Sequence, residues 1–262
     1  MILSACALWA APSLEAQSES RLGDWKVETF RWTGTDEATR SVTVRNPHGN
    51  VRLRKAETGK AFTSAAIQRH GDDPRLGDIR VEEADGKVTI EVGFSTPEGF
   101  DPAKLTEEMA KHRIDITVLV PAEARLEVQT EDGDIEGKGL ESDVTASSTT
   151  GDIVLSIDGS LEARTERGTV KAVFKSADWR TPPKLTTTTG EIIVWLPPNA
   201  NTEIRARTAG WLTTDYSLEI TSPPEEQMKS AVVKLGDGKH PFAIESTKGN
   251  IRLSRLRISA DS

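Results

Sequence analysis

One short pattern returns along this chain and limits what it can become. Small hydroxyl or polar residues lead into a glycine, a polar residue follows, and a β-branched residue comes next. The copies read NPHGNVRL (46–53), TEDGDIEG (130–137), STTGDIVL (148–155), TERGTVKA (165–172), TTTGEIIV (187–194) and STKGNIRL (246–253), with a looser RTAGWLTT (207–214). The glycines at 133, 151, 168, 190 and 210 are spaced by 18, 17, 22 and 20 residues, and the step from 210 to 249 is 39, about two periods. Regular spacing of this length is the signature of stacked supersecondary units.

Between the glycines the residues alternate. Ile153, Leu155 and Ile157 share one face while Val154 and Ser156 take the other, and Ile114, Ile116, Val118 and Val120 repeat the rhythm. Period-two alternation bounded by turn residues predicts half-buried strands. Each period therefore holds two short strands and two turns, either a hairpin or one coil of a solenoid. A glycine followed by a polar residue is what a tight turn uses, because glycine reaches positive φ freely and the polar side chain can bond local backbone.

The same Gly-Asp pairs could instead hold a metal or an acid. Chemistry would keep the residue type constant across copies, yet that position is Asn50, Asp134, Asp152, Thr169, Glu191, Trp211 and Asn250. Calcium-binding β-roll repeats use nine-residue periods richer in glycine, absent from this sequence. The repeat is read as turn punctuation. One helix is expected after Asp101-Pro102, through AKLTEEMAKHR, with Leu105 and Met109 on one face. A second short helix is expected after Pro224, through EEQMKSA (225–231).

Apolar residues make up 36% of the 262 and charged ones 28%. That balance suits a thin, elongated β structure with much surface better than a compact two-layer core. The net charge of −8 argues against nonspecific nucleic-acid binding, which needs clustered cations. Residues 1–16, MILSACALWAAPSLEA, are too short to span a bilayer and end in small residues, as a signal peptide does; its positive start is missing, as in a truncated leader. Cleavage after Ala16 is the first expectation. A lipid anchor on Cys6, within LSAC, and a buried N-terminal strand are the alternatives. Residues 17–24 are a polar lead-in, and 25–258 the repeat domain. Cys6 is the only cysteine, so no disulfide framework is available.

Candidates for chemistry are few. His48, His70, His112 and His240 share no ligand spacing and are expected in exposed turns. No G-x-S-x-G, H-E-x-x-H or phosphate-cradling loop occurs. Glu131, Asp132 and Asp134 fall in one turn and Asp72 and Asp73 in another. Paired carboxylates roughly 5–10 Å apart serve glycosidases, but solvated acidic turns are the expectation here. Trp179, Trp195 and Trp211 sit 16 apart and could stack as a sugar-binding row, though core or end-plug positions are expected. Arg40, Arg45, Arg52, Arg54 and Lys55, with Lys248, Arg252, Arg255 and Arg257, are expected on charged edge strands that stop end-to-end stacking. Contact with anionic lipids or envelope polymers is the alternative for them.

The stretch RIDITVLVPAEARLEVQTEDGDIEG (113–137) runs strand, Val-Pro, small-residue turn, strand and T-x-x-G-D-I. IIVWLPPNANTEIRARTAGWLTT (192–214) repeats the scheme, and LGDGKHPFAIESTKGNIRL (235–253) closes it. These segments resemble the bacterial putative adhesin family, exported domains of unknown function, most closely over 113–258 and more loosely over 25–100. The resemblance implies a β-repeat fold in the bacterial envelope. The motifs that carry it are structural turns, so no functional residue carries over.

The sequence thus predicts an all-β, single elongated β-solenoid-like repeat domain with short turns and one short helical insert, roughly ten coils or hairpins. No catalytic, cofactor-binding or metal residue is assigned, and no cofactor is expected. The expected role is a non-enzymatic interaction protein, exported to the periplasm or cell surface. Its partner would be an envelope protein or polysaccharide, with no nucleic acid, and a membrane only if Cys6 is lipidated. A polysaccharide-active enzyme or carbohydrate-binding module is the alternative.

Overall fold

The computed structural model describes residues 19–35, 38–221 and 227–257. The signal-peptide and Cys6 readings fall on residues outside these. Strands appear wherever apolar and polar residues alternate. In chain order they begin with β1 (Glu19–Leu22), β2 (Trp25–Thr33), β3 (Ser41–His48), β4 (Val51–Lys55), β5 (Phe62–His70), β6 (Leu76–Ala84) and β7 (Lys87–Ser95). After helix α1 (Glu107–Ala110) come β8 (Arg113–Val120), β9 (Arg125–Asp132), β10 (Ile135–Leu140), β11 (Val144–Thr150), β12 (Ile153–Ile157), β13 (Leu161–Arg167), β14 (Val170–Phe174), β15 (Lys184–Thr189) and β16 (Ile192–Leu196). The last are β17 (Thr202–Thr208), β18 (Leu212–Thr214), β19 (Glu219–Ile220), β20 (Lys229–Leu235), β21 (His240–Ser246) and β22 (Ile251–Arg255).

They form two sheets of 11 strands. The first runs β1-β2-β5-β8-β4-β10-β12-β14-β16-β22-β18, and the second β19-β20-β17-β21-β15-β13-β11-β9-β3-β7-β6. Eleven strands at ~4.8 Å make a stack about 50 Å long. Within it, coil follows coil: β9 lies in the second sheet and β10 in the first, joined across the Gly133 corner, and β11–β12, β13–β14 and β15–β16 repeat the move in parallel register. The solenoid alternative to hairpins is therefore the one realised. Inward residues of both sheets form one continuous apolar cluster, from Val42 and Val51 through Leu155 and Val194 to Leu253. The core is a narrow strip between two faces, which is why so low an apolar content suffices.

Spatial order departs from chain order at both ends. The coil β3–β4 lies between β7–β8 and β9–β10, and β21–β22 lies between β15–β16 and β17–β18. The 39-residue step from Gly210 to Gly249 is thus not two stacked periods. It holds β19 and β20, antiparallel strands that cover the end of the second sheet. Antiparallel hairpins also cap the other end: β6 on β7 across Asp85-Gly86, both at positive φ, and β1 on β2. The expected lead-in over 17–24 accordingly contributes an edge strand from Glu19.

The expected helical insert after Asp101 is present but shorter than the sequence suggested, and the second helix does not form over its described residues. The segment after Asp101 forms a 3-10 turn at Pro102–Lys104 and then only the four-residue α1, capped by Thr106, whose hydroxyl accepts from the Met109 N–H. Asp101 Oδ1 accepts from Ala103 N at the start of the 3-10 turn, and Thr106 caps the α-helical turn that follows. Of EEQMKSA, residues 225 and 226 lie outside the described residues, and from Lys229 the chain is the strand β20, because Ser230, Val232 and Lys234 face outward while Ala231 and Val233 are buried.

Candidate functional site

The repeated corner is built from three rows of side chains running along the stack. In the first row the residue three before each glycine points inward and donates to a carbonyl of the preceding coil. Ser148 donates to Gly133 O, Thr165 to Gly151 O, Thr187 to Gly168 O and Ser246 to Gly190 O, all at 2.9–3.1 Å. Asn46 does the same to Ile114 O, 2.8 Å away, and Thr208, only two before its glycine Gly210, donates to Gly249 O.

The second row is the glycines. A Cβ on Gly133, Gly151, Gly168, Gly190 or Gly249 would meet the carbonyl of the neighbouring coil's glycine far inside 3.0 Å. Positive φ is confined to some of them, Gly49, Gly151 and Gly190 among these, while Gly133, Gly168 and Gly249 lack it. The shared requirement is close approach between backbones rather than the left-handed conformation the sequence suggested.

The third row is the variable polar position. Asn50 Oδ1 accepts from Asp134 N, Asp134 Oδ1 from Asp152 N, and Asp152 Oδ1 from Thr169 N, at 2.7–2.9 Å. Asp115 Oδ1 extends the row to Asn50 N, and Asn250 Oδ1 accepts from Trp211 N. Any short side chain with an acceptor oxygen fills this role, so Asp and Asn interchange along the stack.

Beside this corner runs a groove of about 780 Å³, lined by Trp25, His48, Lys111, Arg113, Asp132 and Asp134 among others. Of the acids singled out in the sequence, Asp132 and Asp134 line it, and both have local partners. His48 Nδ1 lies 3.6 Å from Asp132. Arg113 grips Asp115 at 2.6 Å and Gln68 donates to the same carboxylate at 2.9 Å. The hydrogen bond and charge of Glu108 hold the Lys111 ammonium above its ordinary pKa. The groove offers hydrogen-bonding groups and one indole ring to a ligand.

Near it lies a cluster that sequence reasoning missed. Asp73 and His112 are not in solvated turns: both side chains are fully buried, with His112 Nδ1 3.1 Å from Asp73 Oδ2. Arg75 clasps the same carboxylate through Nε and Nη2, and donates to Met109 O of α1. Burial disfavours the charged Asp73, but the hydrogen bonds and charge of Arg75 outweigh it, so the carboxyl lies below its usual value. Burial also pushes His112 down to about 4, against the pull of Asp73 and with the repulsion of Arg75. The imidazole is neutral at pH 7, with its proton on Nδ1 facing Asp73. Among the described residues its Nε2 has no hydrogen-bond partner, and it has no exposed surface. Phe94 packs edge-on at 4.8 Å between ring centroids. An Asp–His pair of this kind can move protons only where the second nitrogen reaches a substrate. Here it is sealed, and the cluster joins the turn after β5, α1 and the start of β8. A separation of 39 positions between Asp73 and His112 leaves no local signal for it.

The tryptophans form no row. Trp179 is buried against Phe174 and Phe242, at 5.1 and 5.4 Å, as the core reading expected. Trp195 faces outward from β16 half-buried, and Trp211 is 74% exposed with the Lys229 ammonium 4.8 Å from its ring centroid. The basic residues also lie elsewhere than expected. β3 and β4 sit inside the sheets and β22 is next to last, so Arg45, Arg52 and Arg252 protect no edge.

Residues 13–254 match the family model described as Toastrack DUF4097. The chain belongs to this family. The match includes the first third of the repeat domain, where the sequence resemblance was looser. No curated protein matches this Toastrack chain. Among solved structures, a putative cell adhesion protein from Clostridium sporogenes is 12% identical with a TM-score of 0.48, over 86% of this chain and 99% of that one. A putative adhesin from Bacteroides fragilis is 13% identical with a TM-score of 0.38, over 88% of this chain and 97% of the other.

Proposed function

We propose that this Toastrack protein is a non-enzymatic component of the bacterial cell envelope, exported and acting by interaction, in adhesion, surface scaffolding or stress sensing. One observation carries the reading: the acids and hydroxyls of the repeated motif are spent on bonds between coils. Asp134 and Asp152 each give an oxygen to the next coil's backbone, and a carboxylate held in that way is a girder. What remains available is two broad faces with a regular spacing of side chains, suited to holding a partner.

The test is capture. The folded chain is immobilised, exposed to an envelope extract and cross-linked, with a heat-unfolded copy as control. Retention of a defined protein or polymer by the folded form alone supports the reading, and equal retention by both overturns it. A polysaccharide-directed role is the second reading, favoured by the groove that Trp25 lines together with Asp132 and Asp134. Glycan turnover that disappears in Asp132→Asn would move the protein into that class.

A further inference from the structure

The outer face of the first sheet carries charge and apolar surface that the fold does not need. From β4 to β22 its outward positions hold Arg52, Arg54, Lys138, Lys171 and Arg252 against a single acid, Glu136. Glu136 is spent on Arg52, 3.7 Å away. On the opposite sheet cations and acids pair across strands, Arg45 with Glu91 at 2.8 Å and Arg207 with Glu245 at 3.5 Å. The excess of cations therefore belongs to one face of a chain whose net charge is −8.

Two details sharpen this. Arg54 and Lys138 stand directly opposite each other on neighbouring strands. Like charges so placed destabilise a sheet, and an anion seated between them removes that cost. Beside them an apolar strip also faces outward: Val154, Val173, Ile193 and Trp195. Ile193 lies in register between Lys171 and Arg252, and Trp195 between Val173 and Ser254. Acids flank the face only at the strand ends, Asp134, Asp152 and Glu191 at the glycine corner and Glu141 and Asp158 at the other. Glu141 is paired there with Lys55 at 2.7 Å.

We propose that this face docks on a membrane leaflet containing anionic phospholipid, with the cations on headgroup phosphates and Trp195 and its aliphatic neighbours at the interface. A hydrated polyanion would satisfy the cations but leave the indole and aliphatic strip without a role, whereas Trp among Lys and Arg is the composition of a membrane–water boundary. The proposal goes beyond the interaction reading by naming one partner for one face. Its failure would leave capture of a protein or polymer by other surfaces unaffected.

The test is co-sedimentation of the full chain with phosphatidylcholine vesicles, with and without phosphatidylglycerol. Binding to the anionic vesicles, weakened by salt, is expected. The triple variant K138E/K171E/R252E should lower partitioning by at least roughly a hundredfold, at about fivefold per cation removed, with the introduced carboxylates adding repulsion. Trp195→Ser should weaken it further at high salt, and R164E/K184E on the opposite sheet should leave it unchanged. Far-UV circular dichroism confirms folding of each variant. Equal binding to neutral vesicles, an unaffected triple variant, or binding to inorganic polyphosphate without binding to vesicles would each overturn the proposal.

Discussion

Gly168→Ala is a minimal change that asks whether the repeat is held by backbone approach. The added Cβ would fall far inside 3.0 Å of the Gly151 carbonyl, and both partners are backbone atoms that cannot swing aside. Two coils must part locally. The bonds that cross this contact are Thr165 Oγ1 to Gly151 O at 3.0 Å and Thr169 N to Asp152 Oδ1 at 2.7 Å, with Gly151 N to Arg167 O at 2.9 Å beside them. Stretching two of them loses about 1–3 kcal/mol, and overpacking adds about 1–3 kcal/mol. A destabilisation of about 3–5 kcal/mol is expected, large against the stability of a single domain. Two controls separate sterics from conformation. Gly139 has φ of 68° and open space, so Gly139→Ala should cost about 1–2 kcal/mol from backbone strain alone. Gly93 has neither constraint, so Gly93→Ala should be neutral or slightly stabilising. Urea unfolding followed by far-UV circular dichroism reads all three. If Gly168→Ala cost no more than Gly139→Ala, close approach would not be what the glycine column serves.

Further outcomes follow from the same geometry. Thr187→Val removes the donor to Gly168 O and should cost about 1–2 kcal/mol in the same unfolding assay, while Thr187→Ser should restore most of it. Asp152→Asn keeps the acceptor for Thr169 N and should be nearly neutral, whereas Asp152→Ala should lose about 1 kcal/mol by the same measurement; equal losses would point to a role for the charge. The folded protein holds His112 at about 4, below its unfolded value of 6.5, so the unfolded chain binds the extra proton. Stability should therefore fall as pH drops from 6.5 to 4, by up to about 3 kcal/mol from this group. In His112→Phe, urea midpoints across that window should lose this slope.

The parts of the fold legible in the sequence are those written locally. Alternation in Ile153–Ile157 and the recurring glycines are short-range facts, and they suffice for strands, turns and stacking. Why each glycine is there was only half legible, since Gly168 looks like any turn glycine until Gly151 is brought against it. The Asp85-Gly86 pair between two alternating runs was a legible hairpin signal that the repeat pattern overshadowed. The site is another matter. Asp73, Arg75 and His112 meet because α1 folds back over the turn after β5, and nothing near any of the three forecasts the others. The basic residues misled for a related reason: closeness to the ends of the chain was taken as closeness to the ends of the stack.

That difference between chain ends and stack ends bears on how the molecule resists unravelling. In a linear array each coil touches only its neighbours, so a terminal coil holds on through one interface and frays first. Here the last coil in sequence, β21–β22, is gripped on both sides, by β15–β16 and by β17–β18. The first, β3–β4, is likewise held between β7–β8 and β9–β10. Peeling the chain back through β22, or past β1 and β2 from the other side, must open two interfaces at once, while the outer coils β7–β8 and β17–β18 are internal to the sequence and tethered at both termini. Local opening should then begin at the edge strands β1, β6, β18 and β19, which pair on one side only among the described residues, and stop at the intercalated coils. Hydrogen exchange would read this as fast amides at these four edge strands and slow amides on β4 and β22, even though β22 ends only seven residues before the last residue of the 262.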